Sequence, residues 1–255
     1  MTDLSPKRRA WAMGSRPYEF YPTIGSTNDR AMSLLLAGAA PGIVVLADEQ
    51  TAGRGRLGRA WHSPPGSALM LSIVLRPPSA AQSDVGMLGA LIVCEAVEAL
   101  GAPSAEIKWP NDVQVDGRKL CGVLPEAAWK GSILAGVVLG MGVNVSVDFS
   151  ETPFQETAIS LGDIGASTDR ARLLRALLDR FDQRSAQLGS DLLFEAWRAR
   201  LNMLGRTISV VNTSRANPAD TLRGTAEGVD RDGALRLRGE DGAVRRVIAG
   251  DIAFG

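Results

Sequence analysis

The sequence predicts an α+β protein that ends in a small all-β module. Segments with helical spacing alternate with strand-length apolar runs over residues 21–204. After Gly205 the helical spacing stops, and short strands are separated by Asp232-Gly233 and Asp241-Gly242, dipeptides favoured in tight hairpin turns. At 255 residues and 45% hydrophobic, the chain can bury a core without disulfides or a structural metal. Three parts follow: an irregular arm over 1–20, a large domain over 21–204 and a β module over 205–255.

In chain order, Ser26 or Thr27 caps a helix that has Asp29 in its first turn and stops near Gly38. Ile43 to Ala47 reads as a strand buried on both faces. Gln50 to Trp61 has no apolar period and reads as a loop. Ala68 to Arg76 is a strand stopped by Pro77 and Pro78, and Val85 to Leu100 keeps helical spacing up to Gly101. Val113–Val115, Asp116-Gly117 and Lys119–Leu124 predict a hairpin. Ser132 to Val145 is a long strand whose glycines at 136, 140 and 142 mark places where backbone passes close to something. Two amphipathic helices are expected at 170–188 and 191–204. The β module should hold strands at 207–211, 222–228, 234–238 and 244–248.

Composition narrows the function. Basic and acidic residues balance at 28 each, which argues against a general nucleic-acid binder. One histidine, His62, and two cysteines, Cys94 and Cys121, exclude a multi-histidine centre and a disulfide framework. No apolar run is long enough to span a membrane, and no signal peptide is seen, so a cytoplasmic location and no membrane partner are expected. Only four of the 28 basic residues are lysines: Lys7, Lys108, Lys119 and Lys130.

Three clusters carry candidate chemistry. Gly25-Ser26-Thr27-Asn28 alone describes a helix cap. Gly53-Arg54-Gly55-Arg56-Leu57-Gly58-Arg59 pairs exposed backbone N–H groups with guanidinium forks and suits an anion, although a flexible basic loop would read the same. Lys108-Trp109-Pro110-Asn111-Asp112 leads through the hairpin to Lys119 and Gly122, so a carboxylate and an ammonium meet at its base. An ordinary ion pair beside a turn would also look so.

Together these segments resemble the biotin protein ligases. The matching stretches are GSTN (25–28), ADEQTAGRGRLGRAWHSP (47–64), KWPNDV (108–113), GRKLCGVLPE (117–126) and GMGVNV (140–145). The resemblance implies a mixed-sheet catalytic domain like that of class II aminoacyl-tRNA synthetases and lipoate ligases, followed by an SH3-like barrel. It implies ATP and biotin as substrates, Mg²⁺, biotinyl-5′-adenylate as intermediate, and a lysine of a biotin carboxyl carrier protein as acceptor.

By the family motif, Arg56 and Lys119 lie against the biotin carboxylate and the phosphate, with Arg54 a further cation. Ser26, Thr27, Asn28, Gln50 and the Gly53–Arg56 loop, including Gly55, would meet biotin, and Gly122 would let its ring approach the strand. Trp61, Asn111 and Asn144 match positions near the nucleotide. Asp112 would orient Lys119, orient the acceptor lysine or serve Mg²⁺; these alternatives stay open. Some family members carry an N-terminal DNA-binding domain, and the 25 residues before Ser26 are too few for one, so no specific DNA binding is expected. A homodimer is one expectation for the oligomeric state. The competing readings are a lipoate or octanoate transferase of the same superfamily and a nucleotide- or DNA-binding regulator without catalysis.

Overall fold

The computed structural model describes residues 15–211 and 221–254. Its frame is a seven-stranded mixed sheet ordered β1-β2-β3-β7-β6-β5-β4. The strands are β1 (Tyr18–Ile24), β2 (Val44–Gln50), β3 (Ala68–Leu75), β4 (Glu106–Lys108), β5 (Asp112–Val115), β6 (Arg118–Lys130) and β7 (Ile133–Asn144). Only β1 and β2 run parallel; the other pairs are antiparallel.

Alternation along β3 assigns the two faces. Leu69, Leu71, Ile73 and Leu75 point into the main core, against α2 (Asp84–Glu98), α3 (Arg170–Ser185) and α4 (Asp191–Arg198). The even-numbered residues point the other way. Val74 packs beneath α1 (Thr27–Leu36), with Ala31 and Leu35, and Met70 belongs to a patch with Trp61 and Phe149. A cavity lined by Ser26, Thr27 and Asn28 lies on the α1 face of the sheet, next to that helix's N-terminus.

After residue 205 a second sheet is antiparallel throughout and ordered β11-β10-β9-β8-β12, forming the SH3-like module. It comprises β8 (Thr207–Val211), β9 (Thr221–Val229), β10 (Leu235–Arg238), β11 (Val244–Val247) and β12 (Asp251–Phe254). The module is fastened to the first domain by polar bonds. Trp109 Nε1 donates to Gly233 O at 2.8 Å, and Arg231 makes two bonds, 2.9 and 3.1 Å, to the buried carboxylate of Asp84.

The structure corrects the reading in three places. Tyr18–Ile24 is an edge strand where an irregular arm is expected up to residue 20, while residues 1–14 of that arm lie outside the described residues. Its Pro22 is tolerated because an edge strand leaves one side unpaired. Helix α4 stops at Arg198 rather than near 204, because Ile107 takes the following backbone into a bridge: Ile107 N donates to Arg200 O and Asn202 N donates to Ile107 O. Strand β12 is not foreseen at all.

Candidate active site

A cavity of about 540 Å³ opens on the α1 face of the sheet. Among the residues singled out in the sequence, Ser26, Thr27, Asn28, Gln50, Arg54, Gly55, Arg56, Trp61, Asn111, Asp112, Lys119, Gly122 and Asn144 line it. Gly53 stands just behind the wall. A Cβ there would lie 2.6 Å from Trp61 O, so glycine is what lets the loop close on itself.

The closed end is built by the start of α1. Ser26 caps the helix by accepting from Asp29 N at 3.4 Å. The next two residues turn inward, where Gln50 Oε1 accepts from Thr27 N at 2.7 Å and lies 3.0 Å from Thr27 Oγ1. Asn28 Nδ2 donates to Glu126 Oε2 at 2.6 Å and to Leu124 O at 3.3 Å. A Cβ on Gly140 would collide with the Asn28 amide, which accounts for that glycine in β7.

The Gly-Arg segment is a small hairpin. Trp61 N donates to Gly53 O at 2.9 Å and Gly55 N donates to Arg59 O at 2.7 Å, with Leu57 and Gly58 at positive φ making the turn. Its three arginines have different surroundings. Arg54 points away from the open end, with two bonds of 2.8 and 2.6 Å to Asp29, whose carboxyl it holds below the usual range. Glu126 stands 3.6 Å from the same guanidinium. Arg59 pairs with Asp251 of β12.

Arg56 reaches into the cavity and donates to Asn111 Oδ1 at 3.2 Å. Burial pulls its guanidinium below the ordinary value, and the charges of Asp251 and Asp112 oppose that shift.

Lys119 supplies the second cation. Its Nζ lies 2.8 Å from Asp112 Oδ1, although its backbone is paired with Gln114. A register shift between Val113 and Gln114 lets the side chain reach back along the hairpin. Asn144 Nδ2 braces this point by donating to Lys119 O at 3.2 Å and Ile159 O at 3.1 Å. Asn111 Nδ2 likewise donates to Val123 O. Both asparagines thus spend amide protons on backbone and hold the ends of β5, β6 and β7 together.

The Trp61 indole lies over the strand floor. A Cβ on Gly142 would sit 2.9 Å from its ring atoms, and one on Gly122 would sit 3.3 Å away. Lys119 Nζ is 5.7 Å from the ring centroid. Phe149 and the exposed Phe154 complete the rim.

The sequence reading did not single out Asp251, Phe149, Phe154, Glu126 or Ser72, all of which touch this site or its supports. Ser72 alone left a local signal, as a hydroxyl inside an otherwise apolar strand. Cys121 is fully buried as a small core residue, and burial pushes its thiol up. His62 lines the rim.

The cavity thus joins a polar end at Ser26–Asn28 and Gln50 to a cationic end at Arg56 and Lys119. Residues 20–144 match the Biotin/lipoate A/B protein ligase family, and residues 213–255 match the Biotin protein ligase C terminal domain. The biotin–[acetyl-CoA-carboxylase] ligase of Paracoccus denitrificans is 36% identical over 90% of this chain and 97% of its own length. The bifunctional ligase/repressor BirA of Bacillus spizizenii is 31% identical over 92% of this chain and 73% of its own. The Aquifex aeolicus biotin protein ligase, solved in complex with biotin and ATP, superposes with a TM-score of 0.74 at 25% identity, covering 93% of this chain and 97% of that one. The chain belongs to the biotin protein ligase family and is an enzyme of the ligase class.

Proposed function

We propose that the chain joins biotin and ATP into biotinyl-5′-adenylate and then passes the biotinyl group to one lysine of a biotin carboxyl carrier protein. The observation that carries this is the pairing of Arg56 and Lys119 at one end of a cavity whose other end is the Ser26–Asn28 and Gln50 cluster. In the first step a biotin carboxylate oxygen bonds to the α-phosphorus, and the bond from that phosphorus to the pyrophosphate oxygen breaks. Two anions must meet, so cations are needed where they do. Lys119 acts as a compact point charge and Arg56 as a planar clamp. In the second step a neutral lysine amine attacks the biotinyl carbonyl carbon, AMP leaves with the shared oxygen, and the proton lost by the amine passes to water. In this reading Asp112, ion-paired with Lys119, steadies that lysine and faces an arriving ammonium.

The described residues hold no group of three or more histidines, cysteines and acids that would fit a resident metal, and Asp112 and Asp251 are both ion-paired. Mg²⁺ belongs to this reading as a companion of the ATP phosphates. No described helix is long and apolar enough to cross a membrane. Work in the cytoplasm, where ATP is supplied, belongs to this reading. We assign residues 21–204 to the catalytic domain and 205–255 to the SH3-like module.

The test is ATP–pyrophosphate exchange, run with biotin and with lipoate. Exchange that depends on biotin and ignores lipoate is expected. Exchange driven by lipoate, or none with either acid, would overturn the reading.

A further inference from the structure

Ser72 has no exposure to solvent and is the one polar residue of β3, whose other seven side chains are apolar. It stands opposite Gly140 in the register with β7, where the missing Cβ makes room for the Asn28 amide. Its Oγ lies 2.6 Å from Asn28 Oδ1 and 2.8 Å from Thr27 Oγ1, and Thr27 Oγ1 lies 3.0 Å from Gln50 Oε1. Four oxygens thus form a row: Asn28, Ser72, Thr27, Gln50.

Both ends of the row are amide oxygens whose orientation is determined. Asn28 Nδ2 is taken by Glu126 and Leu124 O, so Oδ1 is the atom that faces Ser72. Gln50 Oε1 accepts the Thr27 backbone N–H at 2.7 Å, so the carbonyl side of that amide faces Thr27. Three oxygen–oxygen contacts then share only two hydroxyl protons. One contact must go without, and it falls on the longest, the 3.0 Å between Thr27 and Gln50, since the other two are 2.8 and 2.6 Å. The protons therefore run one way: Thr27 donates to Ser72, and Ser72 donates to Asn28. Such a chain is mutually strengthening in a buried setting.

We infer that Ser72 is a specificity-determining positioning residue that sets the hydrogen-bond polarity of the cavity floor. It draws the Thr27 proton inward, while Glu126 and Leu124 hold both Asn28 amide protons. Thr27 and Asn28 then face the cavity as acceptors only, and they select a ligand end that presents N–H groups. This rests on the biotin reading above and supplies a physical basis for its selectivity. A cyclic urea offers two N–H donors, whereas the dithiolane of lipoate offers none and leaves the acceptors unpaired. A buried polar site left unmatched in this way rejects the wrong ligand strongly. Ser72 is not part of the cavity lining and acts through its two neighbours.

The experiment is calorimetric titration of biotin and lipoate into wild type, Ser72→Ala, Thr27→Val and the double variant, with steady-state kinetics and thermal melts alongside. Wild type is expected to bind biotin and ignore lipoate. Ser72→Ala should weaken biotin roughly ten- to a hundred-fold, the effect of leaving one buried acceptor without its donor. The KM for ATP, and kcat at saturating biotin, should stay within a few-fold of wild type. In the Thr27→Val background the same change should add little, since its effect passes through Thr27. Ser72→Cys keeps the volume and a weak donor, so it should fall between; it also serves if the alanine variant does not fold. Wild-type biotin affinity in Ser72→Ala or, failing that, in Ser72→Cys would overturn the role of Ser72 alone. So would full additivity with Thr27→Val, or an equal rise in the KM for ATP. A wild-type protein that does not bind biotin would overturn the ligase reading, and this inference with it.

Discussion

Replacing Lys119 by alanine separates the two jobs its charge can have. One is the ion pair with Asp112 at 2.8 Å, in which the lysine side chain is 35% exposed and the aspartate 28%. At that separation the bare attraction is about 1.5 kcal/mol in water and about 6 kcal/mol at an intermediate dielectric of about 20. Desolvation and side-chain ordering offset most of it, so a pair this wet contributes about 1 kcal/mol or less to folding. The other job is to face the phosphate during adenylation. Removing one such preorganised charge typically lowers a rate on the order of a hundred-fold or more, at least about 2.7 kcal/mol.

The second effect is the larger, so Lys119→Ala should fold, bind biotin within a few-fold of wild type and lose pyrophosphate exchange. Asp112→Ala is the control, because it breaks the same pair and leaves the cation. If the pair were all that mattered, the two variants would lose exchange equally. Equal losses, or Lys119→Ala exchange within a few-fold of wild type, would refute the assignment.

Three further outcomes are expected. Arg56→Gly should still form the adenylate, because Lys119 remains, but should retain it poorly; labelling of an unrelated lysine-rich protein by the variant with biotin and ATP checks this, and labelling confined to the carrier lysine would count against it. The hairpin from Gly53 to Trp61 is closed by few backbone bonds and crowded with like charge, so limited proteolysis there should slow when biotin and ATP are both present. The Arg30 guanidinium, with bonds of 2.6 and 2.7 Å, holds the Glu19 carboxyl below its ordinary value, helped by the Tyr21 hydroxyl. A carboxylate depressed in the folded state stabilises above the ordinary carboxylate range, and that contribution is lost as pH falls through the folded value. Glu19→Gln should therefore melt below wild type at neutral pH and converge with it in acid.

The motifs were legible because each is local. Gly25–Asn28, the Gly-Arg loop and the 108–122 hairpin each carry their own turn chemistry, and the structure brings all three to one cavity. Glycines 140 and 142 announced a close approach but not what approaches: the Asn28 amide and the Trp61 indole come from distant segments. Arg54 and Arg56 look equivalent in sequence. Only the fold shows that Asp29 pairs with the first while the second donates to Asn111. Strand β1 escaped notice because an edge strand with a proline carries a weak pattern. Helix α4 was overextended because its spacing is good, and only the bridge to Ile107 stops it. Ser72 was hidden by its company. A single hydroxyl in a buried strand reads as noise until its two partners are placed beside it.

The hold of β12 on the Gly-Arg hairpin has a consequence for how the enzyme comes into being. Asp251 lines the cavity and pairs with Arg59, and every other lining residue lies at position 158 or earlier. During synthesis the ribosome releases all the remaining wall before this last piece. A nascent chain can therefore shape the pocket floor early, yet the loop lacks its final counter-charge until the module has emerged and docked.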